Sequence, residues 1–414
     1  MRLAELFSRV LKADQIEFVG YDGSRSGPAD AEVRIEIRSP FALSYLASAP
    51  GELGLARAYV TGHLEVVGDL YRTFHLLGDI ELTELDNKTK LELLGLLAKH
   101  RFWWPVSPPP QEARPKGWRH SKSRDAQAIS HHYDVSNRFY EWVLGPSMAY
   151  TCAVYPTDDA SLETAQFTKH DLVARKLGLT EGMRLLDVGC GWGGMVMHAA
   201  EHYGVKALGV TLSRSQAEWA QKAIVERGLQ DLAEVRFMDY RDVPESGFDA
   251  ISSIGLTEHI GGSNLPAYFS SLHSKLRDGG RLLNHCITRP DNQHDGITRG
   301  GFINRYVFPD GELAGSGHII TTMQDAGLEV RREESLREHY AMTLRDWCRN
   351  LAEHWDEAVE EVGLPKARIW RLYLAACQWG FDINNIQLHQ ILGVKLDGVA
   401  SHMPLRPNWE PPQS

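Results

Sequence analysis

The residues best placed to do chemistry begin at Leu185-Leu186-Asp187-Val188-Gly189-Cys190-Gly191-Trp192-Gly193-Gly194, where an apolar run feeds D-x-G-x-G-x-G. Glycines turn tightly and let a ligand lie against the backbone. The dinucleotide pattern G-x-G-x-x-G would seat a pyrophosphate at a helix N-terminus. Here the glycines alternate instead. The carboxylate of Asp187, at the strand end, would repel a pyrophosphate and suit a cationic ligand. A second carboxylate, Glu258, is bracketed by Gly255 and Gly261 at the end of an otherwise apolar stretch. A purely structural role explains a carboxylate there least well.

These groups need elements to position them, and the sequence supplies strands alternating with helices. Leu185–Val188, Ala207–Val210, Val235–Phe237, Asp249–Ser253 and Arg281–Asn284 read as strands. Gly194–Tyr203, Ser213–Arg227 and Leu265–Leu276 read as helices. The alternation predicts an α/β fold, a mostly parallel sheet flanked by helices on both faces. Ligands of such sheets bind at the carboxyl ends of the strands. Residues 1–100 read as a smaller α+β domain, in which Glu32–Arg38 alternates like a half-buried strand and Leu82–His100 reads as a helix. Residues 101–124 carry five prolines and read as a basic, Pro-rich linker. Residues 125–414 form the expected catalytic domain.

Composition narrows the function classes. Of 414 residues, 43% are hydrophobic and 24% charged, which suits a folded chain with a large core. The formal net charge of -10 argues against broad nucleic-acid binding. Five cysteines with no C-x-x-C pair argue against a disulfide framework and a structural zinc site, so no metal is expected and a reducing cytoplasm fits. No apolar run approaches the roughly 18 residues of a membrane-spanning helix. Glu5, Arg9 and Lys12 interrupt the N-terminal apolar residues, so no signal peptide is expected. Leu3, Leu6, Phe7, Val10 and Leu11 fall at helical spacing. Such a helix either packs on its own domain or lies on a bilayer. The run holding Arg101, Arg114, Lys116, Trp118, Arg119, Lys122 and Arg124 is either a spacer or a contact for anionic lipid headgroups.

The glycine segment resembles the first motif of class I S-adenosylmethionine methyltransferases, whose Rossmann-like fold is then expected. Further segments narrow the resemblance: His131-His132-Tyr133-Asp134, Met148-Ala149-Tyr150-Thr151-Cys152, Ser253 to Gly261, Asn284-His285-Cys286-Ile287-Thr288 and Glu338-His339-Tyr340. Together they look like the cyclopropane fatty-acyl-phospholipid synthase family and its mycolic-acid relatives, over roughly Asp125 to Leu392. The resemblance implies methyl transfer from S-adenosylmethionine to a cis double bond of an unsaturated phospholipid acyl chain. A carbocation forms, and bound bicarbonate acts as base to close a cyclopropane ring. It implies an anion cage of Cys152, Glu258, His285, the backbone of Ile287, and Tyr340. It implies a cofactor site of Tyr133, Tyr150, Thr151, Asp187, Gly189, Gly191, Trp192, Gly193 and Tyr240. Thr211, Ser213 and Gln216 would hold the ribose hydroxyls, and Asp239 the adenine amino group.

The sequence departs from the family at Thr257, where an aromatic residue usually precedes the glutamate. The departure would reshape the acyl pocket or the fate of the cation, and a methylene-branched product stays open. A methyltransferase for a soluble small molecule would leave the set of Glu258, His285 and Tyr340 unexplained, and so would an inactive cofactor-binding protein. The resemblance further implies a cytoplasmic enzyme associated peripherally with the membrane, and it allows a homodimer.

Overall fold

The computed structural model describes residues 2–78, 106–113, 135–293 and 300–410, together with Gly95 and Arg124. The chain forms two compact units, each assembled from separate stretches. One comprises Met1–Arg114, Thr298–Pro309 and Leu351–Trp379; the other comprises Pro115–Ile297, Asp310–Asn350 and Gly380–Ser414. The domains expected at 1–100 and 125–414 are continuous in sequence. The structure differs by grouping Thr298–Pro309 and Leu351–Trp379 with the N-terminal residues.

In the first unit, β1 (Glu17–Gly20), β2 (Arg25–Ser26), β3 (Arg34–Ile37) and β4 (Leu64–Val67) form a sheet in the order β2-β1-β3-β4. The alternation of Glu32–Arg38 predicted β3, and its Ile35 and Ile37 are buried. The helix Leu3–Leu11 forms as its spacing predicts. Its Leu3, Leu6, Phe7 and Leu11 are buried within the unit, so its apolar face is not offered to a bilayer. Distant stretches join here through buried charge. Arg57 donates to both carboxylate oxygens of Glu112, at 2.5 and 3.0 Å, and the Tyr306 hydroxyl donates to the same carboxylate at 3.2 Å. Arg368 donates to the carbonyl of Tyr59 at 2.9 Å and pairs with Glu65. Glu112 lies inside the expected linker, so that part of it is packed rather than free. The Ala113 N–H, bonded to the Arg305 carbonyl at 2.7 Å, fixes it further. The expected helix Leu82–His100, Gly95 apart, lies outside the described residues.

The second unit is built on β5 (Arg184–Val188), β6 (Lys206–Thr211), β7 (Ala233–Phe237), β8 (Phe248–Ile254), β9 (Leu276–Arg289), β10 (Ala314–Gly315), β11 (Leu328–Ser335) and β12 (Gln387–Lys395). Their order is β11-β12-β9-β8-β5-β6-β7, with β10 beside β9. Strands β5 to β10 pair in parallel, whereas β12 is antiparallel to both β9 and β11. The chain runs outward from β5 to β7 and then returns to the other side of β5 with β8. The carboxyl end of β5 is therefore the point where the winding reverses, the usual ligand crevice of such sheets.

Two buried clusters cover the sheet. Leu185 joins one, with Val196, Ala199, Ala217, Ala220 and Ile224. Its neighbour Leu186 joins the other, with Tyr268, Phe269, Leu272, Ile319 and Met323. Successive side chains of a strand point to opposite faces, so the clusters lie on the two sides of the sheet. β9 runs far beyond the expected Arg281–Asn284. Its polar residues Asn284, His285 and Thr288 interrupt the apolar pattern, but pairing on both flanks by β8 and β12 carries the strand through them.

Candidate active site

β5 delivers the fully buried Leu185, Leu186 and Val188 to the glycine loop. Gly189, Gly191 and Gly193 have φ of 73°, 54° and 78°, a region that side chains resist. A Cβ at Gly189 would also meet the Leu256 side chain at 3.1 Å. Two adjoining clefts share Gly189, Gly191, Gln216 and Gly255. The first is walled by Tyr150, Thr151, Lys169, Asp187 and Trp192; the second by Thr211, Met238, Tyr240, Arg241 and Leu256.

Three expected cofactor residues do not line these cavities. Ser213 caps the helix Arg214–Glu226, its Oγ accepting from the Gln216 N–H. Gly193 packs between the sheet and a helix, where a Cβ would meet Ala220 and Val235 at 3.2 and 3.3 Å. Asp239 accepts from Arg241 Nε and Nη2, at 2.8 and 2.5 Å, so its carboxylate is already engaged by a guanidinium. Its neighbours Met238, Tyr240 and Arg241 face the second cavity instead. Thr211 and Gln216 do line the cleft and are joined, the threonine hydroxyl donating to Gln216 Oε1 at 2.9 Å. Tyr133 lies outside the described residues.

The first cavity holds buried charges of opposite sign. Asp187 accepts from Ser252 Oγ at 2.6 Å. Burial pushes its carboxyl pKa up to about 7, and the Ser252 hydrogen bond and nearby Lys169 restrain the rise. Lys169 donates to Thr151 Oγ1 at 2.9 Å and lies 2.9 Å from His170 Nε2. Burial pulls its ammonium down to about 8.

Of the anion-cage candidates, Glu258, Ile287 and His285 come together at the ends of β8 and β9. Glu258 sits on the short helix Thr257–Ile260 just after β8. Its Oε1 accepts the Ile287 N–H at 2.7 Å, while Oε2 is buried with no hydrogen-bond partner among the described residues. Burial pushes the carboxyl up to about 7. The Ile287 N–H, expected to face an anion, thus orients Glu258. His285 lies two residues back on the same face of β9, and its Nε2 is likewise buried without a partner. Cys152 is buried, with Sγ 3.1 Å from the Ala153 carbonyl, and burial raises its thiol pKa further. A thiol held protonated this way is no nucleophile. Tyr340 packs its ring 4.5 Å from Phe381 and edge-on 6.1 Å from Trp347. Trp347 lies 5.3 Å from Tyr150, and Tyr140 bridges Tyr150 and Trp192 at 5.9 and 4.7 Å. An aromatic row therefore runs from the glycine loop to Tyr340.

Thr257 is buried and donates to Asn284 Oδ1 at 2.6 Å. Its hydroxyl is thus turned onto β9.

Sequence reasoning missed Lys169, Tyr140, Trp347 and the supports of His285. The helix Leu162–Leu177 did carry a signal. Gln166, Lys169, Val173 and Lys176 recur at helical spacing on its buried side. Lysines seldom occupy such a stripe unless paired or functional.

Comparison with known proteins now decides the family. The model of the family described as mycolic acid cyclopropane synthetase matches residues 120–391. The chain belongs to this family. A Mycobacterium tuberculosis protein named "Probable fatty acid methyltransferase Rv3720" is 56% identical, over 96% of this chain and 95% of its own length. A Pseudomonas putida protein named "Probable fatty acid methyltransferase" is 39% identical, over 91% of this chain and 90% of its own. Among solved structures, the cyclopropane synthase MmaA2 of M. tuberculosis matches with a TM-score of 0.61 and 33% identity, covering 66% of this chain and 99% of that one. The mycolic acid cyclopropane synthase CmaA1, complexed with SAH and CTAB, matches with a TM-score of 0.61 and 33% identity, covering 65% and 97%.

This cyclopropane synthetase family member is thus a class I S-adenosylmethionine-dependent methyltransferase, and the cleft around the glycine loop fits that cofactor. A cationic sulfonium and ammonium suit Asp187, and the positive-φ glycines leave room for close approach. The cage residues also fit a small oxyanion. Glu258 Oε2 and His285 Nε2 are buried polar atoms left unsatisfied by the described residues, and such atoms are rare without a ligand.

Proposed function

We propose that the protein methylates a cis double bond of an unsaturated phospholipid acyl chain, giving a cyclopropane by loss of a proton from the added methyl group. The observation that carries this reading is the pair of buried atoms, Glu258 Oε2 and His285 Nε2, with no hydrogen-bond partner among the described residues, in a unit whose aromatic row begins at the cofactor loop. Bound S-adenosylmethionine supplies an electrophilic methyl group, and bound bicarbonate supplies a base. Ionised Glu258 would accept a hydrogen bond from the bicarbonate hydroxyl, and Ile287 keeps that carboxylate in place. His285 and Tyr340 would hold the anion. The rings of Tyr340, Trp347 and Tyr150 belong to one aromatic row, and a cation developing on the chain would be stabilised over a ring face there. Their bulk also excludes water that would capture the cation.

A methylene-branched product is the second reading. The names of the two relatives support it, since both are called fatty acid methyltransferases rather than cyclopropane synthases. Incubation with S-adenosylmethionine and vesicles of unsaturated phospholipid, followed by mass analysis and NMR of the recovered chains, tests both. A chain enlarged by one CH₂ with ring-methylene proton signals supports the first reading, an exocyclic methylene supports the second, and unmodified chains overturn both.

The substrate class calls for docking on an anionic membrane surface. No helix among the described residues is long and apolar enough to cross a membrane. Arg124 drops out of the expected basic contact, because it donates to both oxygens of Asp310, at 2.6 and 2.8 Å. Arg114, Lys116, Trp118, Arg119 and Lys122 lie outside the described residues and keep the role as a proposal. Replacing the four charged residues with Gln should weaken binding to anionic vesicles at low salt. Equal binding would place docking elsewhere.

A further inference from the structure

His285 presents its two ring nitrogens to different surroundings. Nδ1 lies 3.1 Å from Gln390 Nε2, and Nε2 is buried with no hydrogen-bond partner among the described residues. Which nitrogen carries the proton decides whether the ring donates to a ligand or repels an anion. That choice is made two side chains away. Lys176 Nζ donates to Gln390 Oε1 at 2.6 Å. An ammonium has no lone pair, so the Gln390 amide must show its oxygen to Lys176 and its NH₂ to His285. An NH₂ group cannot accept a hydrogen bond, so Nδ1 must carry the lone pair, and the proton of the neutral imidazole sits on Nε2. Burial lowers the Lys176 pKa, and the paired carboxylate of Glu334 opposes that and favours the ammonium. Desolvation and the charges of Lys169 and Lys176 push the His285 pKa well below 6.5, which keeps the ring neutral.

The fold makes this line exact in register. Glu334 faces Gln390 across β11 and β12, and Gln390 faces His285 across β12 and β9. Residues directly opposite on neighbouring strands put their side chains on one face of the sheet. Lys176 reaches the same face from the helix Leu162–Leu177. Gln390, Lys176 and His285 are each about 1% exposed, so water cannot substitute for any of them.

We propose that Lys176 and Gln390 are positioning residues that lock His285 as an Nε2–H donor toward an anion held with Glu258. The role of the donor rests on the anion reading above; the tautomer does not. The test is NMR of the full-length protein labelled with ¹⁵N-histidine, with the His285 signals assigned by their loss in His285→Gln. The expected wild-type spectrum at neutral pH shows a protonated Nε2 and an unprotonated Nδ1, and added bicarbonate shifts the Nε2 resonance. In Gln390→Glu a carboxylate faces Nδ1 and should draw the proton onto it. The KM for bicarbonate should then rise about 10-fold, the scale of such supporting contacts, with cofactor affinity unchanged. Lys176→Met should free the amide to turn and give a mixture of tautomers.

A wild-type ring protonated on Nδ1, or on both nitrogens, overturns the proposal, and this spectrum decides it even where a variant fails to fold. A Gln390→Glu protein that keeps the Nε2–H form overturns it as well. A wild-type Nε2–H ring indifferent to bicarbonate, in an enzyme whose turnover is also indifferent, upholds the lock and sinks the bicarbonate reading.

Discussion

The glycine-loop cleft and the Glu258–His285 site lie in the same unit but are built on different principles. The cleft is shaped largely by backbone: Gly189, Gly191 and Gly255 at positive φ, with one buried carboxylate on the central strand. The second site is made of side chains, each oriented by another group, Glu258 by the Ile287 N–H and His285 by Gln390. A backbone-built site depends on few positions and tolerates change around them. A side-chain site inherits the fragility of every group that props it.

Variants can break that comparison. The largest effect is expected from Glu258→Gln, which keeps the volume and removes the ionisable acceptor. Its kcat should fall about 100-fold or more, the usual scale for a lost acid–base group, with cofactor affinity unchanged by calorimetry. Near-wild-type turnover would show that the second site is not the reactive one. Gly189→Val comes next. It forces a branched residue to φ 73° with its Cβ 3.1 Å from Leu256, and calorimetry should detect no cofactor binding in the folded variant. Full affinity there would show that the ligand does not approach this backbone. Asp187→Asn should weaken cofactor binding about 10-fold, since hydrogen bonds to charged groups contribute roughly 1.5–3 kcal/mol. An unchanged Kd would move the cationic end of the ligand away from β5.

The smallest effect concerns pH. Burial raises both Asp187 and Glu258 to about 7. Both must be ionised to act, so cofactor affinity and kcat should each fall as pH drops below about 7 and level off above it. The sign for stability is opposite. A carboxyl whose folded pKa lies above its unfolded value binds protons more tightly when folded. These two carboxyls therefore contribute stability that is lost as pH rises from about 4 toward 7, against an opposite contribution from buried neutral histidines such as His285. Thermal unfolding of the wild type, Glu258→Gln and Asp187→Asn across that window isolates the two carboxyls by difference. Variant profiles parallel to that of the wild type would mean that neither carboxyl is desolvated.

The same contrast explains what was legible in the sequence. The strand-loop-helix from Leu185 to Tyr203 reads directly because its signals are local: an apolar run, glycines, then helical periodicity. The cage types were recognisable by resemblance, each in its own short motif. Their supports were not. Gln390 lies 105 positions from His285, and Lys176 lies 214 from Gln390, so only strand register brings them together. Asp239 and Ser213 show how local chemistry competes for the same groups. Both sit at the expected strand ends, where Asp239 already accepts from Arg241 and Ser213 caps its helix, the second a role its position before the helix also predicts. The N-terminal unit was partly misjudged for a related reason, since a buried pair such as Arg57–Glu112 leaves no trace in composition.

The discontinuous make-up of the units bears on how the chain is born. A ribosome delivers β9 more than a hundred residues before β12, its neighbour on one side. Until then β9 presents an open edge, and His285 has no Gln390 opposite it. The N-terminal sheet waits as well, because Arg368, which pairs with Glu65, emerges 303 residues after it. Domains ordinarily fold in the order of synthesis. Here residues of one sheet wait for a helix made far later, and the nascent chain holds exposed strand edges in the interval.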